Sequence, residues 1–234
     1  MAPKSLEQYA ANKMLEWCTE NVGYLLNTTK EAVTTGHARY RWKDDRDARA
    51  EVGTGIHETI EAIHTGSWNF PELDDEQQRI MRQWDALNQQ YTFEPHLSEF
   101  TVWNTYADYA GTADGLWTIT NDRTGETGKY LIDLKTSRSV WPDHWIQHAA
   151  LFHAVELMQK NEDGTWRVED WTEVTADLDG VALIHLRADV AEVHTLTDPE
   201  MLSLRFQQFL TYRNQWELDK TITALEKANA PRPF

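Results

Sequence analysis

One cysteine, Cys18, stands in a chain of 234 residues. A lone thiol rules out an internal disulfide framework and fits a reducing compartment. No segment approaches the ~18 uninterrupted apolar residues of a membrane-spanning helix, and the opening Met1–Gln8 has no apolar signal region. A soluble, cytoplasmic protein without a membrane partner is expected. Positive charge is scarce as well: 22 Lys and Arg face 38 Asp and Glu, for a net charge of −16. That balance argues against non-specific nucleic-acid binding over the whole surface, which is driven by counterion release from phosphates. It leaves room for a local basic groove on an acidic body, or for metal ions that bring positive charge to where phosphate arrives. Repeats, low-complexity stretches and clear linkers are absent, and the length suffices for one large domain with its own core.

The informative stretch runs from Gly111 to Thr136. Thr112–Thr120 and Tyr130–Lys135 are rich in β-branched and aromatic residues, and Asn121–Gly128 between them is turn material, which predicts a β-hairpin. Alternation along the second strand puts Asp133 and Lys135 on one face, with Ile132 and Leu134 on the other. If Asp114 lies on the adjacent strand near the same end, two carboxylates converge where a hard cation such as Mg²⁺ would relieve their repulsion. A lysine beside a metal-bound water suits phosphodiester hydrolysis, which needs a nucleophilic water and charge stabilisation on the phosphoryl oxygens. Alone, Asp133-Leu134-Lys135 is a weak pattern that an ordinary strand edge would also show.

Four blocks in order, Gly53-Thr54-Gly55-Ile56-His57, Gly111-Thr112-Ala113-Asp114, Ile132-Asp133-Leu134-Lys135-Thr136 and Gln147 in a following helix, resemble the PD-(D/E)XK nucleases. Within that superfamily the likeness is to the RecB-like exonuclease branch, over about residues 50–190. The resemblance implies that His57, Asp114 and Asp133 are metal ligands for Mg²⁺ or Mn²⁺, joined by the Leu134 carbonyl. It makes Asp114, Asp133, Lys135 and Gln147 the catalytic set, with Lys135 orienting or deprotonating the attacking water. Glu99 is a further candidate acid. Two departures stand out. The family usually has tyrosine four residues after the glutamine, where this chain has Leu151, and some relatives carry four cysteines holding an iron–sulfur cluster. With Cys18 alone a single chain holds no such cluster, so the likeness is to the cluster-free, phage-type exonucleases.

Elsewhere Ile56, Ile60 and Ile63 mark one face of a helix over about Val52–His64, with His57, Glu61 and His64 as the adjacent stripe. Glu61 at the place of the second histidine removes H-E-x-x-H as an alternative. Leu73–Gln90 reads as a second helix with an acidic cap region, Leu97–Asn104 as a strand, and Trp141–Met158 as a helix from Pro142 or Asp143 onward. Val181–Leu186 and Val193–Thr197 read as strands, and Pro199 to about Leu218 as a terminal helix. His37–Lys43 interleaves bases with aromatics, making Arg39, Arg41 and Lys43, together with Arg138, candidates for DNA contact. Asp44, Asp45, Asp47 and Glu51 fit an ion-paired solvated helix equally well.

The expectation is a single α/β domain over 1–234: a PD-(D/E)XK nuclease-like central mixed β-sheet flanked by helices. Residues 1–50 form a helical N-terminal elaboration, 51–198 the catalytic core, and 199–234 the C-terminal helix and tail. The expected function is metal-dependent DNA exonuclease, in phage or bacterial recombination, repair or replication, within a bacterial host cell if phage-encoded. The resemblance allows an oligomer and a recombination or single-strand-annealing partner. A non-catalytic DNA-binding scaffold and a site-specific endonuclease are the alternatives on the same fold.

Overall fold

A computed structural model describes residues 37–229, except 68 and 161–162. The first element among the described residues, α1 (His37–Thr65), crosses the border between two compact units, Met1–Gly55 and Ile56–Phe234. The sequence expectation set the border of the N-terminal elaboration at residue 50. Every strand of the protein's sheet belongs to the second unit.

That unit is a seven-stranded mixed sheet flanked by helices. After α1 come α2 (Asp75–Leu87), β1 (Tyr91–Asn104), β2 (Tyr109–Asn121), β3 (Thr127–Lys135), α3 (Pro142–Phe152), β4 (Glu156–Lys160) and β5 (Trp166–Asp170). A short α4 (Trp171–Thr175), β6 (Gly180–Arg187), β7 (Val190–Leu196) and α5 (Pro199–Asn229) complete it. Strand order is β5-β4-β1-β2-β3-β6-β7. The β3–β6 pair is parallel and the rest antiparallel. A parallel pair needs a long crossover, and the α3-to-α4 segment supplies it.

Both faces of the sheet are covered. On one lie Ile56 and Ile60 of α1 and Ile80, Trp84 and Leu87 of α2, all buried. They surround an aromatic group in which Trp84 stacks on Phe93 at 4.9 Å and meets Trp117 edge-on at 6.2 Å. On the other, Ala149 and Leu151 of α3 and Leu202 of α5 pack with Phe100, Leu116, Leu131 and Val181. Asp74 caps α2 by accepting from the Gln77 backbone at 2.8 Å, and Gln77 Oε1 accepts in return from the Asp74 backbone at 2.9 Å. This reciprocal cap is the physical content of the acidic lead-in.

The structure corrects three boundaries and adds a strand pair. β1 starts at Tyr91 rather than Leu97, and α5 runs on to Asn229. The helix expected to reach Met158 ends at Phe152, and a strand pair, β4 and β5, comes after it. Glu156-Leu157-Met158-Gln159-Lys160 is composed of strong helix formers, so its local preference is helical. Pairing of Glu156, Leu157 and Met158 with Trp103, Val102 and Thr101 overrides that preference. No helix among the described residues is long and apolar enough to cross a membrane.

Candidate metal centre

The hairpin predicted over residues 112–135 is present, with Gly115 opposite Ile132 and Leu116 opposite Leu131. Asp114 and Asp133 lie one residue beyond the last pair, so both acids sit where β2 and β3 part.

A local break in β1 governs where Asp114 reaches. Ser98 pairs with Gly115 and Phe100 with Ala113, but Glu99 and Asp114 between them do not pair. Glu99 has φ of 37°, left-handed backbone that a residue with a Cβ rarely adopts. Ala113 and Leu116 both enter the core beneath α3, which strict alternation forbids, so the strand changes parity across Asp114-Gly115. Gly115 permits the change: a Cβ there would run into the Trp117 indole. Backbone irregularity of this kind re-aims side chains and gathers at functional sites.

Asp114 is thereby turned toward α1. Its Oδ1 lies 3.5 Å from His57 Nδ1, and its Oδ2 accepts from the Leu134 backbone at 2.6 Å. His57 Nε2 lies 3.1 Å from the Leu134 carbonyl oxygen. A carbonyl can only accept, so Nε2 carries the proton in this arrangement. His57, Glu61, Glu99, Asp114, Trp117 and Leu134 line one pocket with Ile60 and Ser98. Trp117 Nε1, on that lining, is buried and has no hydrogen-bond partner. Behind it, Asp133 is buried and forms an ion pair with Lys135 Nζ at 2.5 Å.

The charges are coupled. Burial opposes the imidazolium of His57, but the bond to Asp114 and its charge outweigh burial and raise the His57 pKa. Asp114 is also penalised by burial, yet His57, the Leu134 N–H and Lys135 hold its pKa below the usual carboxylate range. Asp133 goes the other way: burial and then the Asp114 charge push it to about 6 against the pull of Lys135. Two acids, Asp133 buried and resisting ionisation and Asp114 half-buried, next to an imidazole and a carbonyl oxygen, make a nitrogen–oxygen donor set suited to a divalent cation. A cation there would displace the proton His57 shares with the Leu134 carbonyl. His57, Asp114 and Asp133 do not bring their ligand atoms as close together as His185, Glu192 and His194 do, all within 4.8 Å.

The remaining sequence candidates do not all reach the pocket. Glu99 lines it. Gln147 is exposed on α3. Arg138 is exposed, and its carbonyl accepts from Arg187 Nη1 at 3.0 Å. Lys43 is exposed on the N-terminal stretch of α1, in the other unit; the side chains of Arg39 and Arg41 lie outside the described residues.

Sequence reasoning left two features unassigned. Glu61, one helical turn after His57, shares its pocket, and burial followed by Glu99 raises its pKa. His64, two turns on, instead packs edge-on against Trp117 at 4.4 Å, and burial lowers its pKa to about 4. The stripe therefore divides between site and core. On α3, His144 and His148 face the sheet, and Lys135 contributes to lowering the pKa of both. Their i, i+4 spacing was the available signal.

His148 gives a pH prediction. It is fully buried, neither ring nitrogen has a partner, and burial lowers its pKa to about 3. Below ~6.5 the unfolded chain gains a proton that the folded chain refuses, so this histidine costs stability as pH falls toward about 3. His148→Leu should match or exceed the parent at pH 7. Its advantage in urea unfolding should widen by at most ~1.4 kcal/mol for each pH unit below ~6.5; a difference independent of pH would refute the neutral buried histidine. No protein-family model matches the chain and no curated protein matches it, so the centre is read from its own geometry.

Proposed function

We propose that the chain is a metal-dependent DNA exonuclease on a PD-(D/E)XK nuclease-like fold of the cluster-free RecB-like kind, acting in the cytoplasm. One observation carries the reading: His57, the Leu134 carbonyl and Asp114 meet at the strand end where Asp133 and Lys135 are already paired. A Mg²⁺ or Mn²⁺ ion held by His57, Asp114, Asp133 and the Leu134 carbonyl would polarise the phosphoryl oxygens and supply a water of lowered pKa.

The protein's own groups do the rest. Asp114 is fixed by the Leu134 N–H on one side and His57 on the other, so its carboxylate is positioned before substrate arrives. Lys135, largely buried, holds its ammonium where a nucleophilic water and a developing phosphorane charge need a cation. Trp117 contributes a buried N–H donor to the pocket wall, and Glu99 and Glu61 add acceptors for bound water. The acidic surface, with its net charge of −16, makes the cation part of substrate attraction as well as of chemistry.

The test incubates end-labelled linear and closed circular DNA with Mg²⁺, with Mn²⁺ and with chelator. Loss of linear DNA alone, abolished by chelator, is the expected outcome. Cleavage of the circle would reassign the chain as an endonuclease. DNA binding without cleavage under any metal would reassign it as a scaffold.

A further inference from the structure

We infer that His185, Glu192 and His194 form a zinc-class metal site on the β6–β7 hairpin, distinct from the proposed nuclease centre and independent of that reading. The hairpin turns at Ala188-Asp189, and His185 lies directly opposite Glu192 in the ladder. Glu192 and His194 are two residues apart on β7, so all three side chains leave one face of the sheet.

Their atoms converge. His194 Nε2 is 3.0 Å and His185 Nδ1 3.9 Å from the same Glu192 Oε2, and all three ligand atoms lie within 4.8 Å of one another. Metal bonds of about 2.0–2.2 Å hold tetrahedral ligand atoms roughly 3.4 Å apart, a spacing that small side-chain rotations reach from here.

The tautomer of His185 is already the required one. Its Nε2 lies 2.7 Å from the Ser137 carbonyl, which can only accept, so Nε2 carries the hydrogen. With Nε2 donating to Ser137, Nδ1 is the ring atom turned toward Glu192, 3.9 Å from Oε2, beyond hydrogen-bond distance. The same Glu192 Oε2 lies within hydrogen-bond distance of His194 Nε2, so one carboxylate oxygen gathers both imidazoles, and a cation entering between them would take the place of the proton shared with His194. An imidazole whose other nitrogen donates to a backbone carbonyl is the usual outer support of a metal-ligating histidine.

The donor set selects the ion. Two imidazoles and one carboxylate favour Zn²⁺ and its neighbours over Mg²⁺ or Ca²⁺, which prefer oxygen. The His185 side chain is 7% exposed, that of His194 37% and that of Glu192 58%, so the inner ligand is anchored and the fourth position opens to solvent. The bound ion would tie edge strand β7 to β6. Through the Ser137 carbonyl it would also tie both to the segment after Lys135, which Arg187 already grips at Arg138.

The experiment uses the full chain, stripped with chelator and titrated with Zn²⁺ by calorimetry and with Co²⁺ by visible absorption. A His57→Ala/Asp114→Asn variant, which lacks two of the proposed nuclease ligands, should retain one equivalent at this site, with a Co²⁺ band that the parent also shows; the following substitutions are made in that variant. His194→Ala should remove that spectrum and weaken binding by about 100-fold or more, at least the effect of losing an outer support; Glu192→Gln should weaken it in the same direction. Both altered positions are partly exposed on the edge strand, so circular dichroism should match the parent. Absence of Zn²⁺ and Co²⁺ binding in the parent overturns the inference. A spectrum and affinity unchanged by His194→Ala and Glu192→Gln also overturn it, whatever becomes of nuclease activity.

Discussion

Lys135→Ala is expected to lower metal-dependent DNA cleavage by roughly 10²–10⁴-fold, the range for losing a positioned proton-transfer or charge-stabilising group, while the fold persists. The lysine ends β3, its side chain is 19% exposed, and its ammonium is 2.5 Å from Asp133 Oδ2. Removing a partner from a buried ion pair normally costs several kcal/mol, because an uncompensated charge is left behind. Asp133 has an escape: its pKa already stands at about 6, and without Lys135 it can take up a proton rather than remain charged in the interior. The variant should therefore still unfold cooperatively and still bind Mn²⁺ through His57, Asp114 and the Leu134 carbonyl, with Asp133 giving up its proton as the ion enters. Two measurements separate the roles: single-turnover cleavage of end-labelled linear DNA, and Mn²⁺ affinity. Lost cleavage with retained Mn²⁺ binding is expected of a lysine that acts on water and phosphate. Asp114→Ala should lose both, because Asp114 bridges His57 and the Leu134 N–H. Full cleavage by Lys135→Ala would sink the nuclease assignment at its centre.

How much of the fold and site is legible in the chain depends on the range of the interactions involved. The β2–β3 hairpin was legible because its turn and its alternating strands are contiguous in sequence. The likeness of the blocks around His57, Asp114 and Asp133 placed three separated residues on one candidate list, and His57 and Asp114 do meet in one pocket. The sequence said nothing of how they meet. Asp114 reaches α1 because Glu99, on a different strand, adopts a positive φ and breaks the ladder opposite it. A backbone exception on one strand that redirects a side chain on the next has no local signature. The β4 strand was illegible for the opposite reason. Its five residues carry a clear local signal for helix, and a pairing with β1, more than fifty residues earlier in the chain, contradicts it. His64 and Glu61 share a periodicity with His57, yet one lies against Trp117 and the other lines the pocket; helical phase gives a face, not the neighbour that face meets.

The misread region makes its own prediction, and Trp171→Ala is the substitution that carries it, with an expected loss of ~3–5 kcal/mol in urea unfolding. Trp171 opens α4, just after β5, and is completely buried. Its indole lies 5.2 Å from Phe100 of β1 and packs in the core with Ala149, Leu151, Ala154 and Leu157. Its Nε1–H donates to the Leu151 carbonyl at 2.9 Å, and its backbone N–H to Val155 at 3.0 Å. One residue thus fastens the end of α3, the start of β4 and the end of β5, around the strand whose helix-forming sequence is held extended. Trp171→Phe separates the contributions. It keeps most of the apolar contact but removes the indole donor from the Leu151 carbonyl, which retains the Ala154 N–H at 3.3 Å, so it should cost ~0.5–1.5 kcal/mol, less than alanine. With alanine, amide exchange in β4 and β5 should quicken before that in β2, β3 and β6, because β4 and β5 form one edge of the sheet while the others are central. A loss below ~1 kcal/mol for Trp171→Ala, or equal exchange across the sheet, would mean that β4 is held by its ladder alone. In that case the override of its helical preference would rest on backbone pairing with β1 rather than on this anchor.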